Sequence, residues 1–458
     1  MSFRDNRNGI SLAVSANLAL SANPNASFTP SYLFAAGEQG AWYDPSDLTT
    51  LFQDSAGTTP VTAVEQPVGL MRDKSGRGSH ARQATAGSRP VLSARVNLLT
   101  QTETFVDVGK FQPANVTVST AAGTAPDGTN TAIKLQATAT TTTTFFYEAT
   151  LGATAYKLVY YLKRGSLSGN FGNSLLIRNT TTATNIAVAT IDFTTGVVTN
   201  TTGTAFSSES AGNGWWKITG VVTTGFSTID IVRIYFGWSS AAATAGDNIL
   251  AWHPDVRHPN DGIGTPSYQQ VGTSTVYDTT GFPFYLKTDG VDDGMATSSI
   301  DFSSVSKITV CAGLRKLSDA AQGVLLELST TDAINNGTFN LQAPAGISTT
   351  YQFDSKGTTL VGVQNTSVTS PITSVVTGIG DISAPVSTIR VNGMQSATSA
   401  STQGTGNYGN YPLYLFRRGG TTLPFTGRFY GAVIRGAASS ASQIASLESY
   451  INSKTRAY

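Results

Sequence analysis

The chain has 458 residues, enough for two or three packed units, each with its own apolar interior. Lys plus Arg number 29 against Asp plus Glu 28, a net charge of +1 with no long run of either sign, so capture of nucleic acid or an anionic membrane has no driving field. Charged residues make up 12% of the chain, about half the roughly 25% of an ordinary soluble domain. Thr, Ser, Gly and Ala dominate instead, which excludes a mainly helical protein and fits strands with neutral outward faces, as in extracellular and viral β proteins.

Residues 1–37 are rich in Asn, Ser and Ala, contain Pro24 and Pro30, and show no sustained period. They read as an extended N-terminal arm, either disordered or ordered along a neighbouring molecule on assembly. Met1-Ser-Phe-Arg-Asp5 lacks a signal-peptide pattern, and no window reaches the ~18 apolar residues of a membrane span, so synthesis in a cytoplasm and a soluble product are expected. Residues 97–261 carry short β-prone runs at Lys157 to Lys163, Ser174 to Arg178, Ala187 to Phe193, Trp216 to Val222 and Ile229 to Phe236. Their spacing predicts a β-sandwich, with Val232, Ile234 and Phe236 inward and Ile231, Arg233 and Tyr235 on the other face. Thr194-Thr195-Gly196 reads as a hairpin loop. Residues 262–458 repeat this character at Lys307 to Ala312, Gly323 to Leu328, Ser387 to Val391 and Tyr411 to Phe416, and Asn392-Gly393 predicts a two-residue type I′ turn. One helix is expected near the end, where Ser440 and Gln443 fit a capping box and Ile444, Leu447 and Ile451 form an apolar stripe. Cys311 alternates with Val310 in an apparent strand, which predicts a buried thiol.

Three stretches resemble a pattern of tailed-phage and prophage virion proteins with a concanavalin A-like, laminin-G-like jelly roll. They are Ala41-Trp-Tyr-Asp-Pro-Ser-Asp47 followed by Asp73-Lys-Ser-Gly-Arg-Gly78, then Tyr285-Leu-Lys-Thr-Asp-Gly-Val-Asp-Asp293, and Phe425-Thr-Gly-Arg-Phe-Tyr-Gly-Ala-Val-Ile434. The intervening Asn97–Phe105, Ala125-Pro-Asp-Gly-Thr129, Gly212-Asn-Gly-Trp-Trp-Lys217 and Gly246-Asp-Asn-Ile-Leu-Ala-Trp252 resemble a carbohydrate-binding-module-type sandwich. The resemblance implies an all-β chain: a discontinuous jelly roll of 38–96 and 262–458, a guest sandwich at 97–261, the arm, and one short C-terminal helix. Insertion into a surface loop is physically cheap, because closure cost grows only logarithmically with loop length, and it requires Val96 and Pro259 to be neighbours.

The resemblance further implies a non-enzymatic virion protein, tail-associated as a tail fibre or receptor-binding component. The arm would dock on other virion proteins, host-surface polysaccharide would be the ligand, and a homo-oligomer, a trimer foremost, would be the assembled form. A capsid decoration or head-fibre protein is the alternative within structural proteins, and a polysaccharide depolymerase the alternative from another class. Against hydrolysis, residues 262–458 hold only two glutamates, Glu327 and Glu448, and Glu327 to Asp332 departs from the Glu-x-Asp-x-Glu pattern of related glucanases. His80, His253 and His258 form no zinc motif, and no Gly-x-Ser-x-Gly elbow is present. No catalytic residue and no cofactor are therefore expected. Ca²⁺ is the one candidate ion, on Asp289, Asp292 and Asp293, which otherwise make a turn and solvate a strand end. Trp215, Trp216, Trp238 and Trp252 are candidate sugar platforms, at least two of them being expected in the interior. Tyr408 and Tyr411 sit in a Gly-rich segment that reads either as a recognition loop or as a long hairpin turn.

Overall fold

The computed structural model describes residues 28–458 except 108, 153, 167–174, 204 and 227–229. Most of the expected arm, residues 1–27, lies outside the described residues, as do Ser174 and Ile229 at the edges of two expected strands. The arm's last part departs from the expected extended form. Pro30–Phe34 is a 3-10 helix, and its Leu33 and Phe34 pack with Trp42, Val433, Leu447 and Ile451. Proline suits a first helical position, and two adjacent large apolar side chains gain more by burial than by staying in solvent. Arg435 Nε donates to the Leu33 carbonyl at 2.8 Å, fixing the turn to the body.

Two antiparallel sheets, eight- and nine-stranded among the described residues, form the jelly roll, and each draws strands from both distant parts of the chain. Gly40–Tyr43 pairs with Gly427–Arg435, and Val91–Ser93 pairs with Tyr285–Lys287. In the other sheet Ala81–Arg82 joins Met295–Asp301. Alternating side chains such as Ile308, Val310, Ala312 and Leu314 meet Leu326, Leu328, Phe339, Leu341 and Phe353 in one core between the sheets. Two sheets, each six-stranded among the described residues, form the guest sandwich, whose separate core holds Leu158, Tyr160, Leu162, Val232, Ile234 and Phe236. The chain is thus all-β: a discontinuous jelly roll with a second sandwich inserted and one helix at its C-terminal end.

Asn97 and Gln269, both buried, clasp the entering and leaving strands of the guest sandwich. Asn97 Nδ2 donates to the Pro254 and Gln269 carbonyls at 3.0 and 2.9 Å, while its Oδ1 accepts from Val256 N at 3.0 Å. Gln269 Oε1 accepts from Val96 N and Asn97 N at 2.7 and 3.0 Å. Backbone groups that would otherwise be orphaned where the chain leaves one sheet for another are satisfied by these two amides.

Local chemistry decides several elements as the sequence predicts. Asn392 and Gly393 have φ of 51° and 79° and join Val386–Val391 to Met394–Ser399. Gly196, at φ 78°, closes the loop between Thr184–Ile191 and Val198–Thr202. The terminal helix, Ala441–Thr455, starts with the full capping box of Ser440 and Gln443 and buries Ile444, Leu447 and Ile451. Arg390 holds it to the sheet through Glu448 Oε1 and Oε2 at 2.8 and 3.0 Å. Replacing Ser440 by Ala should cost about 1 kcal/mol in urea unfolding; an unchanged midpoint would show that the packed stripe alone fixes the helix start. Cys311 is buried, and burial pushes its thiol up to about 12.

Candidate functional site

The structure places most of the aromatic candidates inside the protein. Trp238 lies in the main core of the guest sandwich, and Trp215 and Trp252 form a small cluster with Ala125 and Ala132. The last two lie on the outer sheet face but are roofed by the segment around 124–132, where Trp215 Nε1 donates to the Thr124 carbonyl and Trp252 Nε1 to Thr131 Oγ1. As sugar platforms Trp215, Trp238 and Trp252 are therefore corrected: a large indole gains most from burial, and its N–H has found an internal acceptor. Trp216 is half-buried against Gly196 and donates to the Phe193 carbonyl at 2.9 Å. Tyr408 is also corrected, being 1% exposed with its hydroxyl on Ser355 Oγ at 2.6 Å. Tyr411 is half-buried against the jelly-roll core.

Asp289, Asp292 and Asp293 do converge, with one carboxylate oxygen of each within 4.8 Å of the others. One oxygen of each is engaged in hydrogen bonds. Asp289 Oδ1 accepts from the backbone N–H of Val291, Asp292 and Asp293, Asp293 Oδ2 from Asp289 N, and Asp292 Oδ2 from Ser88 Oγ. This is the bonding of a tight turn, with Gly290 at φ 73°. Burial, with the neighbouring acids, pushes Asp293 up to about 6. The residue types suit Ca²⁺, while the bonds of Asp289 and Asp293 are those of the turn and Asp292 ties it to Ser88.

The structure reveals a polar row that the sequence reading missed, on the outer face of the nine-stranded sheet. Arg418 binds Glu327 Oε2 at 3.0 Å and Asp332 Oδ1 at 3.2 Å. Asn340 Nδ2 donates to Asp332 Oδ2, and Gln342 Nε2 donates to Asn340 Oδ1 and to Asp354 Oδ2. Gln352 Nε2 continues to Asp354 Oδ1, and Gln364 Nε2 to Gln352 Oε1. Desolvation pushes Glu327 up to about 7, against the pull of Arg418, and Asp354 up to about 6. The signal was present in Thr338-Phe-Asn-Leu-Gln342 and Gln352-Phe-Asp-Ser-Lys356, where polar residues alternate with buried Phe and Leu on neighbouring strands. Glu327 has no exposed surface, and its two oxygens are held by Arg418 and Asp332 N.

An open cleft of about 300 Å³ lies on the guest sandwich, where the jelly-roll linker folds back over the sheet. Its floor is the outer face of three adjacent strands, Trp215–Val222, Tyr156–Arg164 and Asn248–Arg257. Tyr156, Leu158, Tyr160 and Leu162 point to the core, so Lys157, Val159 and Tyr161 point outward. Lys157 stands between Val221 and Arg257, and Val159 between Thr219 and Asp255. Tyr161 and Trp252, 5.2 Å apart, bound one end of this face, and residues 259–265 form the opposite wall. Arg257 is spent on Asp255, Thr265 Oγ1 and the Pro266 carbonyl. Lys217 Nζ meets Glu209 at 2.6 Å. Thr219 and Ser267 also line the space, their hydroxyls without a hydrogen bond among the described residues. Such an arrangement can hold a small polar ligand against a partly apolar floor.

No protein-family model matches this chain, and no curated protein matches it. Solved structures give distant likenesses. A heptameric SAP-like pentraxin from Limulus polyphemus is 10% identical, over 33% of this chain and 73% of its own, with a TM-score of 0.28. The CBM40 of the Ruminococcus gnavus IT-sialidase is 15% identical, over 34% of this chain and 97% of its own, with a TM-score of 0.27. The binding domain of Paraclostridial Mosquitocidal Protein 1 is 15% identical, over 38% of this chain and 44% of its own, with a TM-score of 0.30. The fold of this chain rests on its own sheet pairing.

Proposed function

We propose that this chain is a non-enzymatic, glycan-binding structural protein of a tailed-phage virion, tail-associated and assembled as a homo-oligomer, with a trimer as the first expectation. The observation that carries the binding part is the cleft on the guest sandwich: a concave, polar space over a rigid sheet, supplied with hydroxyl and ammonium groups. The virion part rests on the three motif stretches, several of whose residues hold the fold together. Asp73 Oδ1 accepts from Trp42 N at 2.8 Å, Lys74 lies over the Trp42 ring at 4.6 Å, and Arg428 binds Asp261. Residues 1–27 would supply the contact with other virion proteins. No helix among the described residues is long and apolar enough to cross a membrane.

The polar row supports the non-hydrolytic part of this reading. A glycosidase needs two accessible carboxyl groups about 5–9.5 Å apart, whereas Glu327 is sealed and shares Arg418 with Asp332. The test is retention of the purified protein on immobilised host-surface polysaccharide, with release of reducing ends measured in parallel. Retention without release is expected. Filling the cleft by Thr219→Trp should lower retention about tenfold or more; equal retention, or steady release of reducing ends, would overturn the reading. Antibody labelling of intact particles should mark the tail.

A further inference from the structure

The charges around the cleft do not balance. Both acids in its lining are neutralised from within: Asp255 by the paired contacts of Arg257, and Asp261 by Arg428, whose Nη1 lies 2.9 Å from either carboxylate oxygen. Lys217 has Glu209, but that side chain is 66% exposed, so the pair is screened and easily exchanged. Lys157 lines the cleft and has neither an ion pair nor a hydrogen bond among the described residues. One uncompensated ammonium, with a second that can be recruited, therefore faces an otherwise neutral space.

We infer that the cleft selects a carboxylated sugar residue, its carboxylate on Lys157 and Lys217 and its ring over Val159. This deepens the proposed glycan-binding role and rests on it. The volume of about 300 Å³ is at the small end of the range for ligand pockets, about 300–1,000 Å³, and suits one sugar residue of a longer chain. Val159 offers an apolar floor for a C–H face, while Thr219 and Ser267 offer hydroxyls to the ring oxygens. A neutral sugar would leave the Lys157 ammonium without a partner in the cleft, so recognition should depend on charge. A charge-assisted hydrogen bond contributes roughly twice as much as a neutral one. Because Lys157 and Lys217 are half-exposed, the attraction should weaken as salt rises.

The experiment is a glycan array carrying uronylated, sialylated, sulfated, phosphorylated and neutral oligosaccharides, read with the full chain, Lys157→Gln and Thr219→Trp. Unfolding midpoints of both variants are measured alongside, and Lys157→Gln, a change on a half-exposed outward face, serves as the gentler one. Expected are hits concentrated among carboxylated glycans, about tenfold weaker with Lys157→Gln, abolished by Thr219→Trp, and weakened between 50 and 500 mM salt. Neutral hits that survive Lys157→Gln but not Thr219→Trp would overturn the carboxylate inference and leave glycan binding in the cleft intact. Hits confined to sulfated or phosphorylated glycans would likewise overturn it. Absence of any hit, or hits indifferent to both substitutions in folded protein, would remove the cleft as a glycan site altogether.

Discussion

Replacing Asp261 by Ala should destabilise the protein by about 3–5 kcal/mol, the loss typical of breaking a buried ion pair from one side. Asp261 is buried where the chain re-enters the jelly roll and holds Arg428 with both oxygens, while Arg315 Nε lies 3.9 Å from Oδ2. Burial alone would raise this carboxyl, yet the two guanidinium groups hold it below the ordinary aspartate value. Without it, two buried cations remain. Arg428 keeps its place over the Tyr285 ring, at 4.5 Å, and its contact with Tyr430, and Arg315 keeps Thr373 and Asn260. The measurement is urea unfolding followed by near-ultraviolet circular dichroism. Adding Arg428→Met to Asp261→Ala should recover a large part of the loss, because an apolar side chain can occupy the site without needing a counter-charge. A loss below about 1 kcal/mol for the single variant would show that water reaches the pair and screens it.

The second large effect concerns pH. Glu327 is raised from an ordinary 4.5 to about 7 by desolvation, so the fold prefers its protonated form. A raised carboxyl contributes stability that is whole below its unfolded value and is lost as pH climbs through the folded one. For Glu327 that window runs from 4.5 to about 7, and at about 1.4 kcal/mol for each pH unit the loss is on the order of 3 kcal/mol. Asp354, raised to about 6, acts in the same sense. Other carboxyls such as Asp44 and Glu65 are lowered and act oppositely, so the comparison must be with a variant rather than with pH alone. Glu327→Gln keeps the shape of the row and removes the titration. Its stability relative to the parent should rise by about 2–3 kcal/mol between pH 5 and pH 8. A constant difference across that range would mean that Arg418 keeps Glu327 ionised throughout.

How far the sequence could be read depended on whether the deciding physics was local. The Asn392-Gly393 turn, the Ser440 capping box and the strand at Val232, Ile234 and Phe236 are written in adjacent residues, and the structure has each of them. The aromatic candidates fared differently. Nothing near Trp215, Trp238 or Trp252 in the chain states that Thr124, Leu135 and Thr131 will accept their N–H groups, since these acceptors lie 91, 103 and 121 residues away. Tyr408 lies in a Gly-rich stretch suited to a mobile loop, yet Ser355 and the neighbouring Phe339 ring draw it inside.

By itself the sequence determined an all-β chain, the period-2 faces of its strands, its turns and its final helix, because propensity, alternation and capping act within a few residues. It also carried the resemblance from which a split jelly roll follows. Only the tertiary structure decided which polar residues meet: Glu327 with Arg418, Asp261 with Arg428, and Lys157 facing a cleft with no partner among the described residues. The reason is that charge and burial are properties of a place, and strands far apart in the chain supply the walls of each place.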